Sequence, residues 1–207
     1  MSQQPPAFKA QQTPAPRWRR TPPALFPPTL GLWGLAMAWS RTPDAFGLPA
    51  AIGEILLGAM VLLFLYIGGH MVAKIAARPG VVAEDLKTLP GRAGLAAFSM
   101  SMMLLAAAFL PYLEPLTKAI LVVAVLAHAV FLAIIVKNLL TGPAEARKVT
   151  PVFHLTFVGL IVSPLAALPA GWTGFATAVF WATLAAAVLI WVASALQFLR
   201  EDVPPPL

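Results

Sequence analysis

Long apolar stretches, separated by short polar links, dominate the chain. They fall at roughly 24–40, 48–77, 93–112, 116–140, 151–170 and 173–199. A helix that crosses hydrocarbon needs about 20 residues, so the pattern predicts an all-α integral membrane protein with six transmembrane helices. The first and fifth stretches are short and interrupted by prolines. Residues 1–23, rich in Gln, Pro and Thr, bury little apolar surface and predict a disordered tail that reaches the interface, with Trp18 at headgroup depth. Residues 201–207, EDVPPPL, form a second Pro-rich tail. The longest link, 78–92, is too short for a domain, and no soluble catalytic module fits.

Taken in pairs, the stretches form hairpins at 24–77, 93–140 and 151–199, whose members alternate in character. The odd ones carry the helix-disturbing and small polar residues: Pro27, Pro28, Gly31 and Gly34 in the first; Gly94, Ser99, Ser101 and Pro111 in the third; Pro151, Gly159, Ser163, Pro164 and Pro169 in the fifth. The fourth has no Gly or Pro between Leu116 and Leu140, and the sixth none between Phe175 and Val203. The second is a partial exception, with Gly53, Gly58, Gly68 and Gly69. An interior proline removes a backbone donor and frees a carbonyl. Hydrocarbon tolerates this only where protein or water satisfies the freed group. The odd helices are therefore expected to face inward and the even helices to face lipid. Ordinary packing of small residues between membrane helices is the competing explanation of each residue taken singly.

Composition agrees. Only 11% of residues are charged and the mean hydropathy is +0.82, against about 25% charged in a soluble domain. Cysteine is absent, which excludes disulfides and thiolate metal sites. The net charge of +6 is explained by topology once its distribution is followed. With the N-terminus cytoplasmic, that side receives Lys9, Arg17, Arg19, Arg20, Lys74, Arg78, Lys87, Arg92, Lys137, Arg147, Lys148 and Arg200, and the far side only Arg41 and Lys118. This bias predicts two cytoplasmic termini and contact with anionic lipid, without a nucleic-acid partner. The RWRR run before the first stretch, with Ala36-Met37-Ala38 after it, also fits a cleavable signal peptide. Pro27 and Pro28 disfavour that alternative, because a signal core is normally an uninterrupted helical run.

Two segments, FPPTLGLWGLAMAW in the first stretch and TPVFHLTFVGLIVSPLAAL in the fifth, resemble the tellurite-resistance/dicarboxylate transporter family, which includes bacterial TehA-like proteins and the plant slow anion channels. The first looks like that family's opening helix, with its F-x-x-x-L-G-L-x-G-L-A-x-x-W run, and the second like its fifth. The resemblance covers about residues 24–200. It implies a ring of five helical hairpins in a bacterial inner membrane, commonly assembled as trimers, with kinked odd helices lining an uncharged pore for small anions. A phenylalanine on the ninth helix gates that pore. Ten helices are expected and six are read here, so no gate residue is carried over. EDVPPPL resembles the linker into the seventh helix, and the chain reads as the first six helices. Three hairpins do not close a ring, so a homo-oligomer or a partner chain would supply the remaining helices.

Three histidines raise the question of haem. Bis-histidine ligation needs two rings at matched depth on facing helices, and His70 with His128 is the pair to consider. Interhelical hydrogen bonding is the simpler use of His128, and His154 is a candidate for the vestibule of the fifth helix. No carboxylate cluster supports a metal site, and no cofactor is implied. Glu54 lies within the second stretch, where a carboxylate is expensive; it is either a substrate or proton site or a structural group near the interface. Pro28, Gly31, Ser99, Ser101, Ser163 and Pro164 are the pore-lining candidates. A serine in a membrane helix nevertheless often bonds back to its own backbone. No nucleophile–base pair or phosphate loop is present, so an enzyme is not expected. The sequence leaves two functions in view: part of a TehA-like anion channel or exporter, or a non-transporting accessory subunit of a larger membrane complex.

Overall fold

A computed structural model describes residue 18, residues 21–142 and residues 148–200. Most of the predicted tails, and Arg147 with them, lie outside the described residues. All regular structure among the described residues is helical. A 3-10 turn at Pro23–Leu25 leads into α1 (Phe26–Trp39), followed by the short α2 (Thr42–Phe46) and the long α3 (Ala50–Ala77). Then come α4 (Gly80–Asp85), α5 (Leu89–Phe109) and α6 (Glu114–Thr141). The fifth apolar stretch is broken into a π turn at His154–Val158, a 3-10 turn at Gly159–Val162 and α7 (Pro164–Ala167), before α8 (Thr173–Arg200).

Four of these helices, α3, α5, α6 and α8, are long and apolar enough to cross a membrane. The first and fifth stretches fold as helices shorter than a full span. Their prolines account for this. Pro27 and Pro28 stand at the start of α1, where the missing N–H is tolerated. Pro164 cuts the fifth segment into pieces.

The sequence pattern set the third helix at residue 93, but it begins at Leu89. Thr88 caps it, its hydroxyl accepting from the Gly91 N–H at 3.2 Å, and Pro90 occupies its first turn. The preceding link hides α4, tied back to α3 by an ion pair between Lys74 and Asp85 at 3.2 Å. Lys74 also reaches the Thr21 carbonyl at 3.3 Å. The amide of Gln197 in α8 pairs with Val149, accepting from its N–H at 3.0 Å and donating to its carbonyl at 3.5 Å.

Each odd member of the predicted hairpins packs on its even partner: α1 on α3, α5 on α6, and the fifth segment on α8. The odd members also pack on one another, with α5 in the middle touching α1 and all three pieces of the fifth segment. Burial follows that order. The most apolar window of α5 is 78% buried, against 17%, 28% and 17% for α3, α6 and α8. Yet α5 is the least apolar of the four. In water that would be upside down; in a bilayer the most apolar surfaces belong outside. Lipid is as apolar as leucine, so α5 is held by close packing rather than by exclusion of water. Its buried residues include Gly91, Gly94, Ala96, Ala97, Ser99, Ser101 and Ala106, small enough for backbones to approach.

Four aromatic rings join α1, α3 and α5. Phe26 meets Phe98 edge-on at 4.9 Å, Phe64 lies 5.9 Å from Phe98, and Trp33 lies 6.2 Å from Phe64. The Phe26–Phe98 and Trp33–Phe64 pairs are edge-to-face, an arrangement favourable beyond its buried area at these separations. Beside this cluster, an apolar cleft of about 440 Å³ opens between α3 and α6, with Gly68, Phe98 and Met102 in its walls. Phe98→Ala should remove about 3 kcal/mol or more of stability, read as a lowered midpoint in denaturant titration of detergent-purified protein. Leu62→Ala, at a side chain 71% exposed, should leave the midpoint unchanged.

Candidate functional site: the broken fifth segment and the groove beside it

A helix that passes from a π turn to a 3-10 turn to a proline leaves carbonyls without regular donors. Side chains answer them here. Pro164 has no N–H for the carbonyl of Leu160, and the Ser163 hydroxyl donates to that carbonyl at 2.8 Å, alongside the Ser163 N–H at 2.9 Å. The carbonyl of Thr156, in the π turn, accepts from Nε2 of His128 in α6 at 3.0 Å. A carbonyl can only accept, so Nε2 carries the ring proton, and Nδ1 of the neutral ring is the acceptor. Its partner is the Ser99 hydroxyl of α5, 2.8 Å away. Ser99 also lies 2.8 Å from the Ala96 carbonyl in its own helix. One buried imidazole, 2% exposed, thus links α5, α6 and the broken segment.

Gly159 makes room for this node. A Cβ there would stand 2.8 Å from Cε1 of His128 and 2.9 Å from Sδ of Met100. Only glycine lets the broken segment lie this close to the ring.

His128, with both nitrogens engaged by protein, offers none to a haem iron. His70 packs edge-on against Tyr66 at 4.5 Å within α3. His154 turns toward α8, its ring 6.3 Å from that of Trp191. Among the described residues, no cluster of His, Asp and Glu is spaced to hold a metal ion.

The pore-lining candidates divide into two sets. Ser99, Ser101 and Ser163 are fully enclosed. The Ser101 hydroxyl has no hydrogen-bond partner among the described residues, an arrangement that costs about 1–3 kcal/mol in a sealed site. Pro28 and Gly31 are exposed and Pro164 is half-buried. Pro28, Gly31, Leu35 and Ala38 follow the three-and-four spacing of one helix face, and Ala38 opens into a cavity of about 690 Å³. That cavity is walled by the end of α1, Leu165 and Pro169 of the fifth segment, and Glu54 of α3, with Ala107 and Pro111 at the end of α5 as its floor. The three odd members thus share one concave face. Glu54 stands exposed on its rim. Arg41, counted in the sequence only for orientation, lies in the same lining; no local pattern marks it.

An all-helical integral membrane protein with a polar node inside and a groove between its odd helices is the class these features define. The chain matches the voltage-dependent anion channel family (SLAC1) over residues 20–205, and it belongs to that family, one of channels rather than enzymes. No curated protein matches it.

His128→Ala should strand the Thr156 carbonyl and lower stability by about 1–3 kcal/mol, with His128→Gln recovering part of the loss. Gly159→Ala should break the same node. The double variant should therefore lose less than the sum of the single losses in a denaturant-based cycle; full additivity would show that the two residues act apart.

Proposed function

We propose that the chain is the wall of a passive channel or exporter for small anions, with the shared face of α1, α5 and the fifth segment turned toward the pore. The observation that carries this reading is the 690 Å³ cavity into which all three odd members open, in a chain of the anion-channel family. Pro28, Gly31 and Pro164 line the path. Ser99 and Ser163 stand behind it and hold the backbone of the kinked helices, and Ser101 is enclosed beside them. Such a pore suits anions because it offers donors and backbone dipoles with little competing negative charge.

In this reading all six apolar stretches cross a bacterial inner membrane, and both termini are cytoplasmic. The groove is open on one side, and further helices, from other copies of the chain or from a second polypeptide, complete the ring. Membrane vesicles from cells that produce the chain should release chloride faster than vesicles from cells that lack it, with potassium clamped by valinomycin. Liposomes holding only the purified chain should match protein-free ones where a second polypeptide supplies the completing helices, and should release chloride where other copies supply them. Equal release from the two cell membranes sinks the channel reading; flux from the purified chain alone removes the need for a second polypeptide. An accessory role without transport would instead show as stable co-purification with an unrelated complex and no change in flux.

A further inference from the structure

The groove ends in a mouth that carries two charges with no ion-pair partner among the described residues. Arg41 and Glu54 are the charged residues in the lining of the 690 Å³ cavity. Both are exposed. Neither is held in an ion pair among the described residues, whereas Lys74–Asp85, Arg78–Glu84 and Lys118–Glu114 all are.

Their nearness is built in by Gly53. A Cβ at that position would lie 2.6 Å from Cα and 2.8 Å from the N of Ser40, so only glycine lets the turn after α1 rest on α3. Residues 40–41 and 53–54 are thereby brought together, one charge following each side of the contact. Ser40 spends its hydroxyl on the Met37 carbonyl at 2.7 Å, which leaves the Arg41 guanidinium as the one charged donor in the lining, beside the neutral Tyr112 hydroxyl.

We propose that Arg41 is an anion-binding residue at this mouth and that Glu54 beside it keeps the binding weak, so that a small monovalent anion is drawn in and released. A positive charge at the rim of a concave, low-dielectric site raises the local concentration of anions. Conduction also requires that the ion leave again, and a neighbouring carboxylate that does not close onto the arginine serves that end. The proposal rests on the channel reading above, but its test does not depend on conduction.

Chloride-35 NMR of the full chain in alkyl maltoside micelles reads weak chloride binding as line broadening beyond that of empty micelles. Arg41→Gln should reduce this excess by about threefold or more, and Glu54→Gln should raise it by a similar factor. Arg41→Lys should retain most of it. Far-UV circular dichroism of the variants should match the parent. Excess broadening unchanged in Arg41→Gln overturns the site. So does a loss in Glu54→Gln equal to that in Arg41→Gln, which is the behaviour of a structural pair. Adding phosphatidylglycerol to the micelles should leave the excess in place; its disappearance would assign Arg41 to a lipid phosphate and overturn the proposal. Membrane vesicles that release no extra chloride, alongside intact broadening, would remove the channel reading and leave the anion site standing.

Discussion

Hydrocarbon offers no water to take up a backbone group that a helix lets go, and a chain that breaks a helix inside a membrane must answer each freed carbonyl from its own side chains. The fifth segment breaks twice, at the passage from π to 3-10 geometry and again at Pro164. Ser163 answers one carbonyl from the next turn, and His128 answers another from a different helix. The second bond has the wider consequence. It fixes the broken segment against α6, and through Ser99 it fixes both against α5. The groove can have a kinked wall only because that wall is pinned from behind.

The same constraint explains why α5 is the interior of the molecule. Its serines and glycines would be poor company for lipid, and its burial by α1, α6 and the fifth segment encloses them. The more apolar α3, α6 and α8 keep most of their surface exposed instead. Packing therefore sorts the helices by how much polarity and backbone irregularity they carry. The ends of α1 and α5 and the fifth segment share one concave face with Glu54 and Leu57 of α3. A path for anions through a membrane draws on this property: irregular backbone and small polar groups, screened from lipid, beside a space that ions can enter.

Much of this was legible in the residues. The Gly and Ser residues of the third stretch anticipate the enclosed α5, because small residues let backbones approach, whereas α1, with equally many helix-disturbing residues, keeps Pro28, Gly31 and Gly34 exposed. The FPPTLGLWGLAMAW and TPVFHLTFVGLIVSPLAAL segments pointed to the family that the match over residues 20–205 shows. Other features needed distant partners. Thr88 as the cap of α5, and α4 held by Lys74 and Asp85, were hidden in a link that reads as featureless. The enclosed serines share their residue type with exposed pore ligands, and only the direction of each hydroxyl separates them. Arg41 carried no signal beyond its sign.

By itself, then, the sequence determined the solvent, the helical class, the rough bounds of the apolar segments and the members of each hairpin where polarity collects, since each of these depends on composition or short-range spacing. Only the tertiary structure decided that His128 spends both nitrogens on its neighbours, that Gly159 and Gly53 are contact points rather than mere breakers, and that Arg41 and Glu54 share one mouth. Those facts depend on which backbones approach each other across tens of residues, and that is set by packing, which no local pattern records.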